Sequence, residues 1–269
     1  MTAPDPTTPC VVVTGAAGRV GRQIVPLLGA RWRLRLFDLN APGYETDAEV
    51  MIGSILDDRD LDGAMEGAYA VVHLAGIADE APWPDILATN IEGTQHVLAA
   101  ARRAGVHRIV QASSIHAVGS LGVPDPGTSI PDGLLPQPDS YYGVSKATVE
   151  ALGAFYHHRD GMDVVSIRLG TCQEQPSSER ALATWISPRD LTNLITAGLT
   201  APSPLNAVVW GMSNNSARWF DLNGARALGW EPLDDGADHA ERIRHGLPAG
   251  PMSEGERRWI GGGYYQPVD

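Results

Sequence analysis

The chain has 269 residues, 43% of them hydrophobic, which suits one large α/β unit with a sizeable core and a small appendage. Its formal net charge of -12 comes without a basic cluster, so nucleic acid and anionic membranes are poor partners. No run approaches the roughly 20 apolar residues of a membrane span, and residues 1–9 are proline-rich and polar, so they read as a short disordered leader on a cytoplasmic protein.

Cys10-Val11-Val12-Val13-Thr14 is a β-branched run suited to a buried parallel strand. Gly15-Ala16-Ala17-Gly18-Arg19-Val20-Gly21 follows at once and leads into an apolar helix through Leu28. In this G-x-x-G-x-x-G loop, Gly15 permits the tight turn and Gly18 lets the backbone approach a pyrophosphate. Gly21 lets the helix lie close on the strand, and the helix N-terminus faces the phosphates. A plain strand-to-helix turn rarely needs three glycines. Arg33 to Phe37 forms the second strand and ends at Asp38, about 20 residues past the loop, where an acid binds the ribose hydroxyls of adenosine. The carboxylate would repel a 2′-phosphate, so NAD is favoured over NADP. Asp38 also reads as an ordinary loop aspartate, and Arg31, Arg33 and Arg35 lie nearby, all before the acid.

Further strands fall at Glu49 to Gly53 and at Ala70 to Leu74, the latter running into Ala75-Gly76, whose small residues let backbone lie near a cofactor. Pro84 to Arg103 reads as one helix with Ile86, Leu87, Ile91, Val97 and Leu98 on its apolar stripe. Asn90 falls on that stripe, either as a brace for the active-site backbone or as a surface amide. Arg108 to Ala112 is the fifth strand and delivers Ser113-Ser114 to the C-terminal edge of the sheet, where open α/β sheets bind ligands. Gly122 to Pro138 reads as a long loop. Tyr142 and Lys146 then stack on one face of a helix, where an ammonium beside a phenol lowers a pKa near 10 and allows proton exchange. Such a pair also occurs on solvated helix faces.

Asp163 to Leu169 is the sixth strand and Ala207 to Trp210 a seventh that extends the sheet. Pro188 to Leu199 reads as a helix that, with the Gly261-Gly262-Gly263 tail, caps the pocket. Cys10 and Cys172 cannot form a zinc site by themselves and read as buried thiols; no metal is expected. The fold class is therefore α/β, a Rossmann-like doubly wound parallel sheet with a small C-terminal substrate-capping region. Its expected parts are the leader at 1–9, an NAD-binding Rossmann domain at 10–168 carrying the catalytic residues, and the cap at 169–269.

With the glycine loop, Asn90-Ile91-Glu92-Gly93-Thr94, Ser113-Ser114 and Tyr142-x-x-x-Lys146 in this order, the chain resembles the extended short-chain dehydrogenase/reductase family. The resemblance implies bound NAD, Ser114 as hydrogen-bond partner of the reacting hydroxyl, Tyr142 as proton carrier and Lys146 as its activator. Around the cofactor it implies Gly15, Gly18, Arg19, Val20, Gly21, Asp38, Leu74, Ala75, Gly76 and Asn90, together with Tyr142 and Lys146. Elementary chemistry agrees, since hydride transfer at a carbinol carbon needs one group to polarise the oxygen and another to move its proton. Ser113 reads as structural.

Ser114-Ile115-His116, Arg168-Leu169-Gly170-Thr171-Cys172, Arg180, Thr184-Trp185, Val208-Val209-Trp210-Gly211 and Leu228-Gly229-Trp230 carry a further resemblance to uronate dehydrogenases. These oxidise the anomeric C1 of galacturonate or glucuronate to an aldarolactone with NAD. The resemblance implies Ser114, His116, Tyr142, Thr171 and Arg180 at the substrate, the arginine fork clamping its carboxylate. Ala78 and Ile115 fall at substrate positions too, but stand where a serine and an asparagine are expected. Each ring hydroxyl buried without a partner costs about 1 to 3 kcal/mol, so these replacements favour a less hydroxylated or differently shaped substrate. His116 also reads as a satisfied loop histidine, Arg180 as a surface partner of Glu179 or Glu174, and Trp185, Trp210 and Trp230 as packing residues. The expected function is NAD-dependent oxidation of a small sugar acid, a hexuronate or related sugar, by a homodimer or higher homo-oligomer whose paired helices surround Asn90 and Tyr142. One alternative is a nucleotide-sugar epimerase or dehydratase with retained NAD, opposed by Ile115 and His116 where the dehydratases carry an acidic pair. The other is a nonenzymatic NAD-binding sensor, which has no use for Ser114, Tyr142 and Lys146.

Overall fold

The computed structural model describes residues 7–246 and 252–264, so most of the expected leader, residues 1–6, lies outside the described residues. Strands β1 (Cys10–Thr14), β2 (Arg33–Asp38), β3 (Glu49–Ile52), β4 (Ala70–His73), β5 (Arg108–Ser114) and β6 (Asp163–Leu169) are parallel. A short parallel pair, β7 (Thr171–Cys172) and β8 (Trp185–Ile186), stands apart from the sheet. Strand β9 (Asn206–Gly211) returns to pair with β6, giving the order β3-β2-β1-β4-β5-β6-β9, with the expected seventh strand at its edge.

The helices are α1 (Gly21–Leu28), α2 (Asp58–Met65), α3 (Trp83–Ile86), α4 (Gly93–Arg103), α5 (Tyr141–Asp160), α6 (Ala181–Thr184) and α7 (Pro188–Thr200), with smaller ones toward the C-terminus. Successive side chains of a strand point to opposite faces, and the core divides accordingly. Val11 and Val13 pack with Ile24 and Leu28 of α1 and Leu191, Leu194 and Ile195 of α7. Val12 faces the other way, onto Leu61 of α2, Val97 and Leu98 of α4, and Tyr156 of α5. Both faces are thus covered, as a parallel sheet requires. Helix α7 therefore completes one face of the sheet and does not cap the pocket, a correction to the expectation above; its apolar stripe is spent on α1 and the strands.

The stretch expected as one helix from Pro84 to Arg103 is helical but uneven, because residues Leu87–Glu92 form a π-helix between α3 and α4. The widened turn carries Asn90 to a position with 1% exposure. Strand order reverses between β1 and β4, so the loops leaving their C-terminal ends part and open a crevice. At this point Gly15, with φ at 73°, backs onto the turn after β4: a Cβ there would lie 2.5 Å from the Ala75 nitrogen. Only glycine fits both the dihedral and the space. No helix among the described residues is long and apolar enough to cross a membrane.

Candidate active site

Two cavities share this crevice. One, of about 680 Å³, is lined by Ala17, Gly18, Asp38, Ile55, Ala75 and Thr89; the other, of about 580 Å³, by Arg19, Val20, Ser114, His116, Tyr142 and Lys146. Gly15, Gly18, Leu74 and Gly76 border both, so an elongated ligand can run from one into the other past the glycines. Gly21 lies at the lining of the second cavity and begins α1; a Cβ there would meet the Ala16 carbonyl at 2.4 Å, so its hydrogen sets how close the helix lies to the loop. Asp38 closes β2, with Oδ2 accepting from the Ala17 amide at 2.9 Å and Oδ1 from Asn40 at 3.2 Å. A carboxylate fixed at the rim of the first cavity and bare glycine backbone between the two are what a dinucleotide needs for its ribose and its pyrophosphate. The residues present fit NAD.

Asn90 lines neither cavity. Its Oδ1 accepts from the Ile77 amide at 2.7 Å, and its Nδ2 donates to the Ile77 carbonyl at 2.9 Å and to Ser145 Oγ at 3.0 Å. It is a brace of the turn after β4, and the surface-amide reading fails.

At the C-terminal end of β5 and the first turns of α5 the reacting groups meet. The Ser114 hydroxyl lies close enough to the Tyr142 phenol to lower its pKa. Lys146 Nζ lies 5.6 Å from the Tyr142 ring centroid and donates to the Ala112 carbonyl at 2.9 Å. All three are buried. Burial pushes the Tyr142 phenol up to about 12, against the lowering effect of Ser114 and Arg19, and pushes the Lys146 ammonium down to about 8. Burial sets the Tyr142 pKa in this state of the protein, and Lys146, held on the Ala112 carbonyl, is not among the groups that lower it. The N-terminus of α5 is fixed twice. Ser140 Oγ accepts from the Gly143 amide at 3.0 Å, and the Glu80 carboxylate accepts from the Tyr141 and Tyr142 amides. Ser113 also borders the cavity, and its hydroxyl is spent on Glu150, to which it donates at 2.6 Å and whose carboxylate Arg168 grips at 2.8 and 2.9 Å.

His116 lines the second cavity, and its Nδ1 donates to Asp139 at 2.7 Å, so its ring is oriented by a buried carboxylate. Ala78 and Thr171 line the same cavity, and Arg19 Nη2 donates to the Ala78 carbonyl at 3.2 Å. Cys172 also lines it, so the expectation of two buried thiols holds only for Cys10. Ile115 does not reach the cavity, because its side chain belongs to the core beside Val118 and Ile130. Arg180 does not line it either. Its guanidinium donates to the Ile260 carbonyl and lies over Trp219, 5.4 Å from the ring centroid, with no bond to Glu179 or Glu174 among the described residues. The reason is the C-terminal segment, which docks by Ile260 N to Leu121 O at 2.8 Å and Gly261 N to Gly119 O at 2.9 Å.

That segment brings in a residue with no sequence signal. Tyr264 lines the cavity, packs tilted against His116 with centroids 4.5 Å apart, and donates to Asp79. Asp139 was equally hidden in the sequence: a Cβ on Gly119 or Gly261 would fall 1.9 or 1.7 Å from its Oδ2, so two glycines make the room it occupies.

Comparison with known proteins adds to this geometry. Residues 11–189 match the model of the NAD dependent epimerase/dehydratase family. An NAD-dependent glucose-6-phosphate dehydrogenase of Haloferax volcanii is 38% identical over 248 residues, covering 85% of this chain and 94% of that one. A uronate dehydrogenase of Pseudomonas putida is 37% identical over 250 residues, covering 91% of each. The structure of an Agrobacterium tumefaciens uronate dehydrogenase, a tyrosine-to-alanine mutant complexed with NAD, superposes with a TM-score of 0.89 at 32% identity, over 97% of this chain and 98% of that one. The matched span takes in the glycine loop, both cavities' shared walls and the helix of Tyr142, and the chain belongs to the NAD dependent epimerase/dehydratase family.

Proposed function

We propose that the protein oxidises the anomeric C1 hydroxyl of a hexuronate or related sugar to the lactone with NAD, Tyr142 acting as general base. The observation that carries the reading is the meeting of Ser114, Tyr142 and Lys146 in one cavity continuous with the groove that ends on Asp38. Bound NAD supplies the acceptor for the hydride. Gly15, Gly18, Gly21, Leu74, Ala75 and Gly76 hold its backbone-facing parts, Arg19 and Val20 border the passage, and Asp38 takes the adenosine ribose.

Tyr142 receives the proton of the C1 hydroxyl while Ser114 hydrogen-bonds the same oxygen and keeps it oriented. The phenol is protonated at rest because burial raises its pKa, so its proton must pass to solvent through the cavity before turnover, as the proton taken from C1 does afterwards. Ser114 and Arg19 favour the phenolate, and in the role proposed Lys146 adds its charge to theirs. His116, held by Asp139, presents its other ring nitrogen to the sugar, and Thr171 and Ala78 shape the wall. We place the cap in the segments around Thr171 and Arg180 and in the C-terminal stretch to Tyr264, beyond the dinucleotide-binding part at 10–168.

Support for an acidic sugar rests on Arg180, a half-buried cation whose acidic influences among the described residues are Glu256 and Asp139. In the role proposed, it exchanges the Ile260 carbonyl for a carboxylate, which its planar fork grips more strongly. The test compares Arg180→Ala with wild type on galacturonate, glucuronate and the matching neutral hexoses. A loss of catalytic efficiency of about 30-fold or more on the acids alone is expected from breaking a charge-assisted contact. Equal losses on acids and neutral sugars would remove the clamp.

A further inference from the structure

Three buried side chains beneath the cofactor turn have no part in the chemistry above. Thr14 ends β1, His73 ends β4 in register with it, and Thr94 lies in the first turn of α4. The imidazole sits between the two hydroxyls, with Nδ1 at 2.7 Å from Thr14 Oγ1 and Nε2 at 3.0 Å from Thr94 Oγ1.

The donor inventory fixes which atom carries each hydrogen. Thr94 Oγ1 donates its single hydrogen to the Asn90 carbonyl at 2.6 Å, since a carbonyl only accepts. Toward His73 it can then only accept, so Nε2 bears a hydrogen. Burial and the nearby Lys146 charge push the imidazole pKa down to about 3, so the ring is neutral and Nδ1 accepts from Thr14. Thr14 Oγ1 is approached in turn by the Ala75 amide at 3.4 Å.

We propose that His73, locked as its Nε2–H tautomer, is a positioning residue: with Thr14 and Thr94 it forms a one-way hydrogen-bond chain that ties the turn carrying Gly76 to the helix carrying Tyr142. The chain runs from Ala75 N–H through Thr14, His73 and Thr94 to the backbone of Asn90. From there the Asn90 amide holds Ile77 on one side and Ser145 on the other, and Ser145 Oγ donates to the Tyr142 carbonyl at 2.7 Å. Both walls of the groove hang from one buried scaffold. Reversing any link would set two donors or two acceptors face to face, which leaves the chain one arrangement. Its value is geometric, because a displacement of about 1 Å at the reacting groups can cost about 100-fold in rate.

The experiment pairs Thr94→Val, which keeps the shape and loses the hydroxyl, with Thr94→Ser, which keeps the hydroxyl and loses the methyl. With NAD and D-glucuronate as the probe, Thr94→Val is expected to lower kcat about 10-fold to 100-fold, a larger change than in either KM, while Thr94→Ser stays close to wild type. Nitrogen NMR of labelled histidine should show His73 protonated at Nε2 and bare at Nδ1. If Thr94 serves packing alone, the order inverts, with the valine variant active and the serine variant impaired. That inverted order, or an Nδ1–H tautomer in the wild type, would overturn the proposal. The spectrum needs no turnover, so an enzyme inactive on glucuronate would count against the substrate reading above and leave this test intact.

Discussion

His73 shows how much a single buried side chain can say about conditions. Its folded pKa, near 3, lies below its ordinary 6.5, so between these values the unfolded chain binds a proton that the native protein refuses. Stability from this group is fully present above 6.5 and falls as pH drops, by about 3 kcal/mol at pH 4. The acid limb of a denaturation-versus-pH curve should therefore flatten in His73→Gln, and an unchanged slope would mean that the imidazole titrates in the native state. Burial likewise pushes the Lys146 ammonium down to about 8, so its charge is lost as pH rises through that value. Tyr142, Lys146, Ser114 and Asp38 were legible in the sequence because local spacing and strand ends place them. Side-chain direction was not. Ile115 and Arg180 occupy the expected positions in the chain, yet one turns into the core and the other onto Ile260.

Among elements, the strands were read well because β-branched runs ending in small residues leave a buried parallel strand little choice. The π-helical turn at Leu87–Glu92 escaped because one extra residue per turn hardly alters an apolar stripe. The stripe of α7 announced burial without naming its partner. Least legible was the C-terminal segment, whose docking on Leu121 and Gly119 is a long-range event with no local signature. It is also the element most sensitive to a small change. Gly261→Ala would drive a methyl to 1.7 Å from Asp139 Oδ2, so the segment or the carboxylate must shift. A loss of about 1 to 3 kcal/mol is expected, with a raised KM for the sugar and little effect on NAD binding. Thermal unfolding and steady-state kinetics read both; a variant with wild-type KM would show that the Asp139–His116 pair does not shape the sugar site.

At the scale of the whole molecule, the doubly wound sheet brings Asp38, Ser114, Tyr142 and Lys146 along one crevice. Phe155 is 49% exposed on α5, with Ala151 exposed on the same helix and Leu152 packed inward. The chain is expected to form a dimer through the helices around Asn90 and Tyr142, and Phe155→Glu should shift it toward monomer. Light scattering at micromolar concentration decides, and a monomeric wild type would end the idea. Catalysis makes the larger claim: sheet, groove and cavity together serve a net oxidation in which NAD is consumed. The most direct measurement incubates purified protein with NAD and free uronates, follows the reduced cofactor by absorbance and identifies the product by carbon NMR. One reduced cofactor per lactone is expected, with Tyr142→Phe slower by about 100-fold to 10,000-fold while still binding NAD. No net reduction with any free sugar, alongside conversion of a nucleotide sugar, would contradict it.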